Sequence, residues 1–313
     1  MTFAVAIQMD PVEFIDIEAD STFLLALEAQ NRGHTLYHYL ARDLSIRENR
    51  VFARACTLEV SRKEGAHARL GVPCNVDLAT LDVILMRQDP PFNMSYITAT
   101  HILEHVHPGT LVVNDPVSVR NAPEKLFVTQ FPDLMPPTLI SANVEEIREF
   151  RKEQHDIILK PLFGNGGAGV FHVTPNDDNF NSLLEMFLQK SCEPIVAQRY
   201  LPEVREGDRR IILVNGDPAG AVDRVPPLDD VRANMHVGAK PKKASLNRRD
   251  IEICETIGPI LKSLGLIFVG IDVIAGQVTE INVTSPTGLQ EVNRFDEVNL
   301  EVDIWNAIED RCR

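Results

Sequence analysis

Two short apolar segments near the end of the chain, residues 268–274 and 278–283, carry polar side chains at a spacing that restricts the fold strongly. Successive side chains of a β-strand point to opposite faces, so the segments predict a hairpin with one apolar and one polar face. The apolar face is expected to hold Val269, Ile271, Val273, Thr279, Ile281 and Val283. If residues 275–277 form a three-residue turn, Asp272 lies directly across from Glu280.

The polar face of this hairpin gathers two carboxylates, Asp272 and Glu280, and the amide oxygen of Asn282. Glu280 and Asn282 lie about 6.6 Å apart along the strand, a separation that suits a pair of ions about 4 Å apart. Oxygen-only ligands favour magnesium. We therefore predict a magnesium site; the alternative is a solvent-facing polar edge, where the neighbouring carboxylates would repel each other.

The composition is that of a globular protein with more than one domain. The chain has 313 residues, 44% of them hydrophobic, and a core of that size usually divides into two or three domains. No apolar run approaches the roughly 20 residues of a membrane helix, so we expect a cytoplasmic protein with no membrane partner. The net charge of -14 argues against a nucleic-acid partner, and five irregularly spaced cysteines argue against a disulfide framework or a zinc site.

The first third of the chain alternates strand and helix patterns, which predicts a parallel α/β sheet. The segment after the strand at residues 81–86, residues 87–91, lies where ligands usually bind such sheets; the alternative is a turn punctuated by two prolines. Turn-forming residues at 121–137 indicate a boundary near residue 122. We predict domains at residues 1–122, 123–200 and 201–313.

The rest of the chain reads as a small α+β unit followed by a hairpin-rich one. Helices are predicted there at residues 144–154, 180–188 and 249–264, with a last helix at 297–312. Strands are predicted at residues 157–160, 169–173 and 195–200, and a hairpin at residues 209–225. The polar segment 226–246 has no pattern of its own, and loops of that length are more often functional or mobile.

A glycine-rich segment, residues 164–169, satisfies the pattern G-x-G-x-x-G of dinucleotide-binding proteins. A strand pattern follows it, whereas the dinucleotide fold requires a helix there. We therefore interpret the segment as a loop between strands that lays backbone N–H groups against phosphates, with Lys160 nearby. The alternative is an ordinary flexible hairpin loop.

The order of these elements resembles that of the ATP-grasp ligases, and the chain closely resembles the bacterial glutathione synthetases within them. The stretches that carry the resemblance are residues 83–87, 89–92, 124–127, 157–162, 166–168, 265–272 and 278–287. The run Thr-Glu-Ile-Asn-Val-Thr-Ser-Pro-Thr at 279–287 is far more specific than the glycine loop. The resemblance implies an ATP-grasp fold preceded by a Rossmann-like (pre-ATP-grasp) domain with a parallel sheet.

The resemblance also implies the reaction. Glycine would be joined to γ-glutamylcysteine through an acyl phosphate, with ATP as co-substrate and magnesium or manganese as cofactor, giving glutathione, ADP and phosphate in a homotetramer. One alternative is another ATP-grasp carboxylate–amine ligase with a different peptide or amine. A second is a nucleotide-binding regulatory protein that has lost catalysis.

The family's site residues carry over to matching positions of this chain. Those implied to contact ATP are Lys125, Lys160, Gly164, Gly166, Gly167, Gln198, Tyr200, Leu201 and Asp208. Those implied to act in catalysis are Arg210, Arg224 and Asn234, and those implied to hold metal are Asp272, Glu280 and Asn282. Those implied to face the peptide substrate are Arg87, Asp89, Arg232, Ser285, Pro286 and Thr287. Segment 226–246 would be a lid.

The chain departs from the family's pattern at two places. Residues 288–290 are Gly-Leu-Gln where the family has Cys-Ile-Arg, so a cationic contact to substrate is missing at Gln290. In the lid, residues 238–240 are Gly-Ala-Lys where a more glycine-rich stretch is expected.

Overall fold

Three β-sheets with flanking helices make up the protein in a computed structural model that describes residues 2–190 and 193–312. Cys192 lies outside those residues, and the other four cysteines are free thiols. Within the described ranges, no helix is long and apolar enough to cross a membrane.

The first sheet has eight strands. They are β1 (Ala4–Gln8), β2 (Thr35–Tyr39), β3 (Leu44–Arg47), β4 (Arg50–Val60), β5 (Ala68–Leu70), β6 (Cys74–Asp77), β7 (Val83–Met86) and β8 (Leu111–Val113). Strands β2, β1, β7 and β8 are parallel, as predicted, and β4 joins them antiparallel. The antiparallel strands β3 to β6 were not predicted; β4 alternates buried and less buried residues in two runs, as antiparallel strands commonly do.

Three helices accompany the first sheet: α1 (Ser21–Asn31), α2 (Met94–Glu104) and α3 (Pro116–Asn121). Asp20 caps the start of α1, since its carboxylate accepts a hydrogen bond from the Phe23 N–H at 2.7 Å. Gly33 follows this helix in the left-handed conformation. A short helix, α4 (Glu124–Phe127), leads to the second sheet.

The second sheet is antiparallel, in the order β11-β10-β12-β9. Its elements are β9 (Thr138–Ser141), α5 (Val144–Gln154), β10 (Ile157–Pro161), β11 (Phe171–Val173), α6 (Phe180–Lys190) and β12 (Ile195–Arg199). An apolar cluster of its own joins the strands to the helices, with Ile147, Leu159 and Leu184 among its members. The glycine-rich segment joins β10 to β11, as expected of a loop between strands.

The third sheet carries the predicted metal hairpin. Its order is β15-β14-β13-β16-β17, all antiparallel. Its elements are β13 (Asp208–Val214), β14 (Asp217–Val225), β15 (Lys240–Lys243), α7 (Arg248–Ser263), β16 (Phe268–Ile274), β17 (Gln277–Asn282), α8 (Leu289–Asp296) and α9 (Leu300–Arg311). Ile84 and Met86 of β7 share an apolar cluster with Ile271 and Ile281, so the first and third sheets pack together.

One prediction for this region is corrected, and one helix was not predicted. The segment 226–246, for which no pattern was found, contains an edge strand, β15. Its three lysines are exposed, and its Pro241 pairs with Arg224 of β14. The last helix, predicted at residues 297–312, is confirmed as α9. Helix α8 precedes it and was not predicted; it ends at Glu297, whose backbone is left-handed with φ of 57°.

Candidate active site

The hairpin of β16 and β17 places Asp272 directly opposite Glu280, which confirms the predicted register. Asn282 pairs with Gly270 two positions further along. The turn, however, has two residues instead of three, and Ala275 and Gly276 both have positive φ. A bulge beside Asp272 compensates for the shorter turn.

This bulge makes one prediction about the apolar face wrong. Val278, and not Thr279, packs in the apolar cluster opposite Val273. Thr279 instead lines a cavity together with Asp272 and Glu280. The extra residue at the bulge therefore adds a hydroxyl to the polar face.

Two arginines hold the Asp272 carboxylate. Arg210 donates from Nε to Oδ1 at 2.6 Å and from Nη2 to Oδ2 at 3.1 Å, and Arg224 Nη2 lies 3.0 Å from Oδ1. Burial alone would raise the pKa of Asp272, but the two guanidinium groups outweigh it and hold the pKa well below its usual range. Asp272 is thus a carboxylate fixed in its ionised form.

Two lysines hold the Glu280 carboxylate in the same way. Lys160 Nζ lies 3.2 Å and Lys125 Nζ 3.5 Å from Glu280 Oε1. Burial would raise the pKa of Glu280, but the ammonium groups of Lys125 and Lys160 lower it below its usual value. Lys125 also donates to the Gly164 carbonyl at 2.6 Å, so the glycine loop and the hairpin meet at these lysines.

Two further carboxylates complete this cluster. Burial raises the pKa of Glu124, on α4, to about 7, and it raises the pKa of Asp208, on β13, to about 7 as well. Arg224 Nη2 donates to Asp208 Oδ2 at 2.6 Å, while the buried Asp208 Oδ1 has no hydrogen-bond partner among the described residues. Sequence reasoning assigned no role to Glu124, although it directly precedes Lys125.

A cavity of about 100 Å³ opens between the second and third sheets beside this cluster. The residues predicted to contact the nucleotide that line it are Lys160, Gln198, Tyr200, Leu201 and Asp208. Sequence reasoning missed its apolar wall of Ile158, Val170, Val204, Val231 and Ile274. It also missed His172, whose ring stacks on that of Tyr200 at 3.9 Å between centroids. A pocket with an apolar wall and charged groups at one end suits a nucleotide.

The glycine loop meets the predicted lid across this cavity. Gly166 and Gly167 have φ of 62° and 80°. A Cβ atom built on Gly167 would lie 2.7 Å from Asn234 Oδ1 and 3.5 Å from Arg232 Cδ. Arg232 and Asn234 both line the cavity, and Arg232 pairs with Asp230 two residues earlier. The absence of a side chain at Gly167 lets the two loops touch.

Replacement of Gly167 by alanine tests this contact. Gly167→Ala places a methyl group against Asn234 and forces an alanine into a left-handed backbone, which costs about 1–2 kcal/mol. We expect KM for ATP to rise about tenfold. Gly65→Ala is the matched control, because Gly65 has φ of +72° with open space around it, far from the cavity in sequence. An equal rise in KM for both variants would contradict the role of the contact.

Arg87 and the segment after β17 form the other side of the site. Arg87 is buried, and its guanidinium donates to Thr22 Oγ1 and to the Pro286 carbonyl, both at 3.0 Å. Ser285 Oγ donates to the Arg87 carbonyl at 3.3 Å, and the Thr287 carbonyl accepts from Arg210 Nη1 at 3.1 Å. The structure therefore connects the predicted peptide-side residues to the Asp272 cluster.

Arg87 has no carboxylate within ion-pair distance among the described residues, unlike Lys125, Lys160, Arg210 and Arg224. Burial lowers its pKa below the usual arginine range. Asp89, two residues later, is exposed, and its backbone N–H donates to the Asp10 carboxylate at 2.9 Å.

Gln290, where the resemblance implies arginine, has a structural contact. Its side chain is buried and donates to the Ile17 and Asp20 carbonyls at 2.7 and 2.9 Å. It thereby joins the start of α8 to the start of α1.

The predicted metal ligands suit a hard divalent cation. Two carboxylates and one amide supply only oxygen donors, and Asn282 Nδ2 donates to Asp272 Oδ2 at 3.2 Å, which turns the amide oxygen away from Asp272. No group of three or more His, Cys, Asp or Glu in the parts of the chain that the structure describes is arranged as a metal site. Such a cation would therefore depend on Asn282 and on phosphate or water oxygens.

Comparisons with known proteins agree with this geometry. Two family models match, "Prokaryotic glutathione synthetase, N-terminal domain" at residues 3–120 and "Prokaryotic glutathione synthetase, ATP-grasp domain" at residues 124–297. The glutathione synthetase of Brucella melitensis is 57% identical over 99% of this chain and 100% of its own length. That of Yersinia pestis is 42% identical over 97% of each chain.

Solved structures show the same fold at low identity. D-cycloserine synthetase DcsG superposes with a TM-score of 0.69 at 16% identity, covering 99% of this chain and 100% of its own. The ATP-grasp ligase PsnB, complexed with its minimal precursor, has a TM-score of 0.64 at 16% identity and covers 100% of both chains. The predicted ATP-grasp fold is confirmed, and the chain belongs to the prokaryotic glutathione synthetase family.

Proposed function

We propose that this chain is a ligase that joins glycine to γ-glutamylcysteine with ATP, giving glutathione, ADP and phosphate. The observation that carries the proposal is the meeting of Lys125, Lys160 and Glu280 beneath the glycine loop, at one end of the cavity. Relatives named glutathione synthetase match over essentially the whole chain, so another carboxylate–amine ligase is not favoured. The chain has the whole set of Asp272, Glu280, Asn282, Lys125 and Lys160, which argues against a regulatory protein without catalysis.

The nucleotide roles follow from the cavity. Tyr200 and Leu201 would contact adenine beside the apolar wall, and Gln198 would lie with them. The unpartnered Asp208 Oδ1 would accept a hydrogen bond from a ribose hydroxyl. Lys125 and Lys160 would donate to the phosphates, covered by the glycine loop of Gly164, Gly166 and Gly167, because backbone N–H groups without a Cβ approach phosphates closely.

The chain neutralises charge before ATP arrives. Lys125 and Lys160 are paired with Glu280, and Arg210 and Arg224 with Asp272. Asp272, Glu280 and Asn282 would hold magnesium or manganese, which when bound neutralises phosphate charge. Lys125 and Lys160, which contact Glu280, would then donate to phosphate oxygens.

The reaction itself needs no side-chain nucleophile. The cysteinyl carboxylate oxygen forms a bond to the γ-phosphorus as the bond to the ADP oxygen breaks. The glycine amine then attacks the acyl carbon, loses a proton, and displaces phosphate. Arg210 and Arg224, which pair with Asp272, would stabilise charge on the transferred phosphoryl group. A lid bearing Arg232 and Asn234, which line the cavity, would keep water from the acyl phosphate.

The peptide would bind on the Arg87 side of the cluster. The buried, unpaired guanidinium of Arg87 suits a substrate carboxylate, and the segment Ser285 to Thr287 joins it to Arg210. Asp89 and Arg232 would complete the contacts. The division at residues 122 and 200, the homotetramer and the cytoplasmic location stay predictions.

A product assay tests the proposal. Purified protein with ATP, magnesium, γ-glutamylcysteine and glycine should release phosphate only when both substrates are present, with glutathione identified by mass. A panel of other dipeptides and amines serves as the control. Phosphate release that does not depend on glycine, or a faster reaction with another pair, would overturn it.

A further inference from the structure

Asn114 lies at the junction between the first sheet and the hairpin that carries the predicted metal ligands. It follows the last residue of β8, and its side chain is 4% exposed. Its Nδ2 donates to the Phe268 carbonyl and to the Val283 carbonyl, both at 2.8 Å, and its Oδ1 accepts from the Phe268 N–H at 3.0 Å. One amide group thus satisfies three backbone groups.

These three groups belong to both strands of the hairpin. Phe268 is the first residue of β16, and Val283 directly follows β17. The register pairs Gly270 with Asn282, so the Asn114 amide closes the open end of the hairpin beyond the last paired residues. The turn at Ala275 and Gly276 closes the other end, which leaves Asp272 and Glu280 held between two closures.

The hydrogen bonds of Asn114 are suited to position the hairpin because Asn114, Phe268 and Val283 are all buried. A buried carbonyl without a donor costs about 1–3 kcal/mol, so loss of this amide leaves both strand ends unsatisfied. Val283 directly follows Asn282. The hydrogen bond from Asn114 to the Val283 carbonyl therefore fixes the backbone next to Asn282. Small displacements at a catalytic centre have large effects on rate.

We infer that Asn114 is a positioning residue that fixes the spacing of β16 and β17, and with it the separation of Asp272, Glu280 and Asn282. The effect of Asn114 on catalysis rests on the proposed function. Its effect on the spacing of the two strands does not. Asn114 contacts neither nucleotide nor peptide in this scheme; it acts through the backbone of the hairpin.

Hydrogen exchange and kinetics on the full-length chain test this inference. Asn114→Ala should speed amide exchange in peptides spanning residues 268–283 at least tenfold in the ligand-free protein, because the open end of the hairpin loses its closure. The same variant should lower kcat about tenfold with KM for ATP within about twofold, since the cavity lining does not include Asn114.

Thr110→Val is the matched control. Thr110 is also buried, immediately precedes β8, and donates to two carbonyls, those of Leu78 and Leu81, at 2.8 and 2.9 Å, away from the hairpin. It should reduce thermal stability similarly while leaving exchange at 268–283 and kcat unchanged. Equal effects of both variants, or unchanged exchange in Asn114→Ala, would overturn the inference.

A second variant covers the case in which Asn114→Ala does not fold. Asn114→Ser keeps one donor and should show exchange and kcat between the wild type and alanine, whereas wild-type exchange in this variant would contradict the inference. If the wild-type protein itself makes no glutathione, the proposed function fails, and the exchange measurement still decides the role of Asn114.

Discussion

Glu280→Gln is expected to lower kcat about a thousandfold. Glutamine keeps the size of the side chain and one oxygen acceptor but removes the charge that, in our scheme, holds the cation and balances Lys125 and Lys160. Loss of one fixed group that stabilises transition-state charge typically costs a hundredfold to a thousandfold, and here cation binding is weakened at the same time. Steady-state phosphate release at saturating magnesium measures the effect.

The same substitution should also destabilise the ligand-free protein. The two ammonium groups would face each other without the Glu280 carboxylate, and removal of one partner from a buried ion pair costs roughly 3 kcal/mol or more. Calorimetric titration with manganese and a non-hydrolysable ATP analogue would show weakened cation binding independently of turnover.

Asp223→Asn is the control for this prediction. Asp223 lies on β14 of the same sheet and pairs with Arg209 at 2.8 Å, and strand alternation puts this pair on the face opposite Asp208 and Arg224. We expect its kcat within about twofold of the wild type. A Glu280→Gln enzyme that keeps more than a tenth of the wild-type rate would rule out the role assigned to Glu280.

The sequence was sufficient to predict features that depend on strand alternation. Side chains that alternate between the two faces of each strand, together with a short turn, predict that Asp272 lies opposite Glu280, and the register confirms this. The orientation of Thr279 was wrong, because a turn shorter by one residue needs a bulge, and alternation is lost at a bulge. The local sequence does not indicate that Ala275 adopts a left-handed backbone.

Features that depend on distant contacts were beyond sequence reasoning. Asn114 reaches Phe268 across 154 positions, and Gln290 reaches Ile17 across 273. A buried asparagine or glutamine reads in sequence as an ordinary polar residue. Glu124 could have been noticed, since it directly precedes Lys125, the lysine predicted to contact phosphate, on the same short helix.

The antiparallel half of the first sheet was missed for a different reason. In residues 50–55 and again in residues 57–60, buried side chains alternate with more exposed ones, a pattern typical of a half-buried strand. Because β4 is not part of a strand–helix–strand unit, the predicted parallel pattern did not include it. The parallel strands near the predicted peptide side were found because their short apolar runs are unambiguous.

Arg210→Lys is the second substitution expected to have a large effect, although it keeps the positive charge. The Arg210 guanidinium holds both oxygens of Asp272 and, through Nη1, the Thr287 carbonyl, so it connects the metal hairpin to the peptide-side segment. A lysine has one nitrogen and cannot form this fork. The close fit also needs Gly270, because a Cβ atom there would lie 3.0 Å from Arg210 Cδ.

We expect Arg210→Lys to lower kcat about a hundredfold, and Arg209→Lys to leave it within about twofold. The neighbouring Arg209 is an unusually close control. It forms the same two-nitrogen pair with Asp223, at 2.8 and 3.1 Å, on the opposite face of the same strand. Both variants should lose some thermal stability, so only the difference in kcat separates catalysis from folding. Equal rates for the two lysine variants would mean that the charge of Arg210, and not its fork, is what the reaction requires.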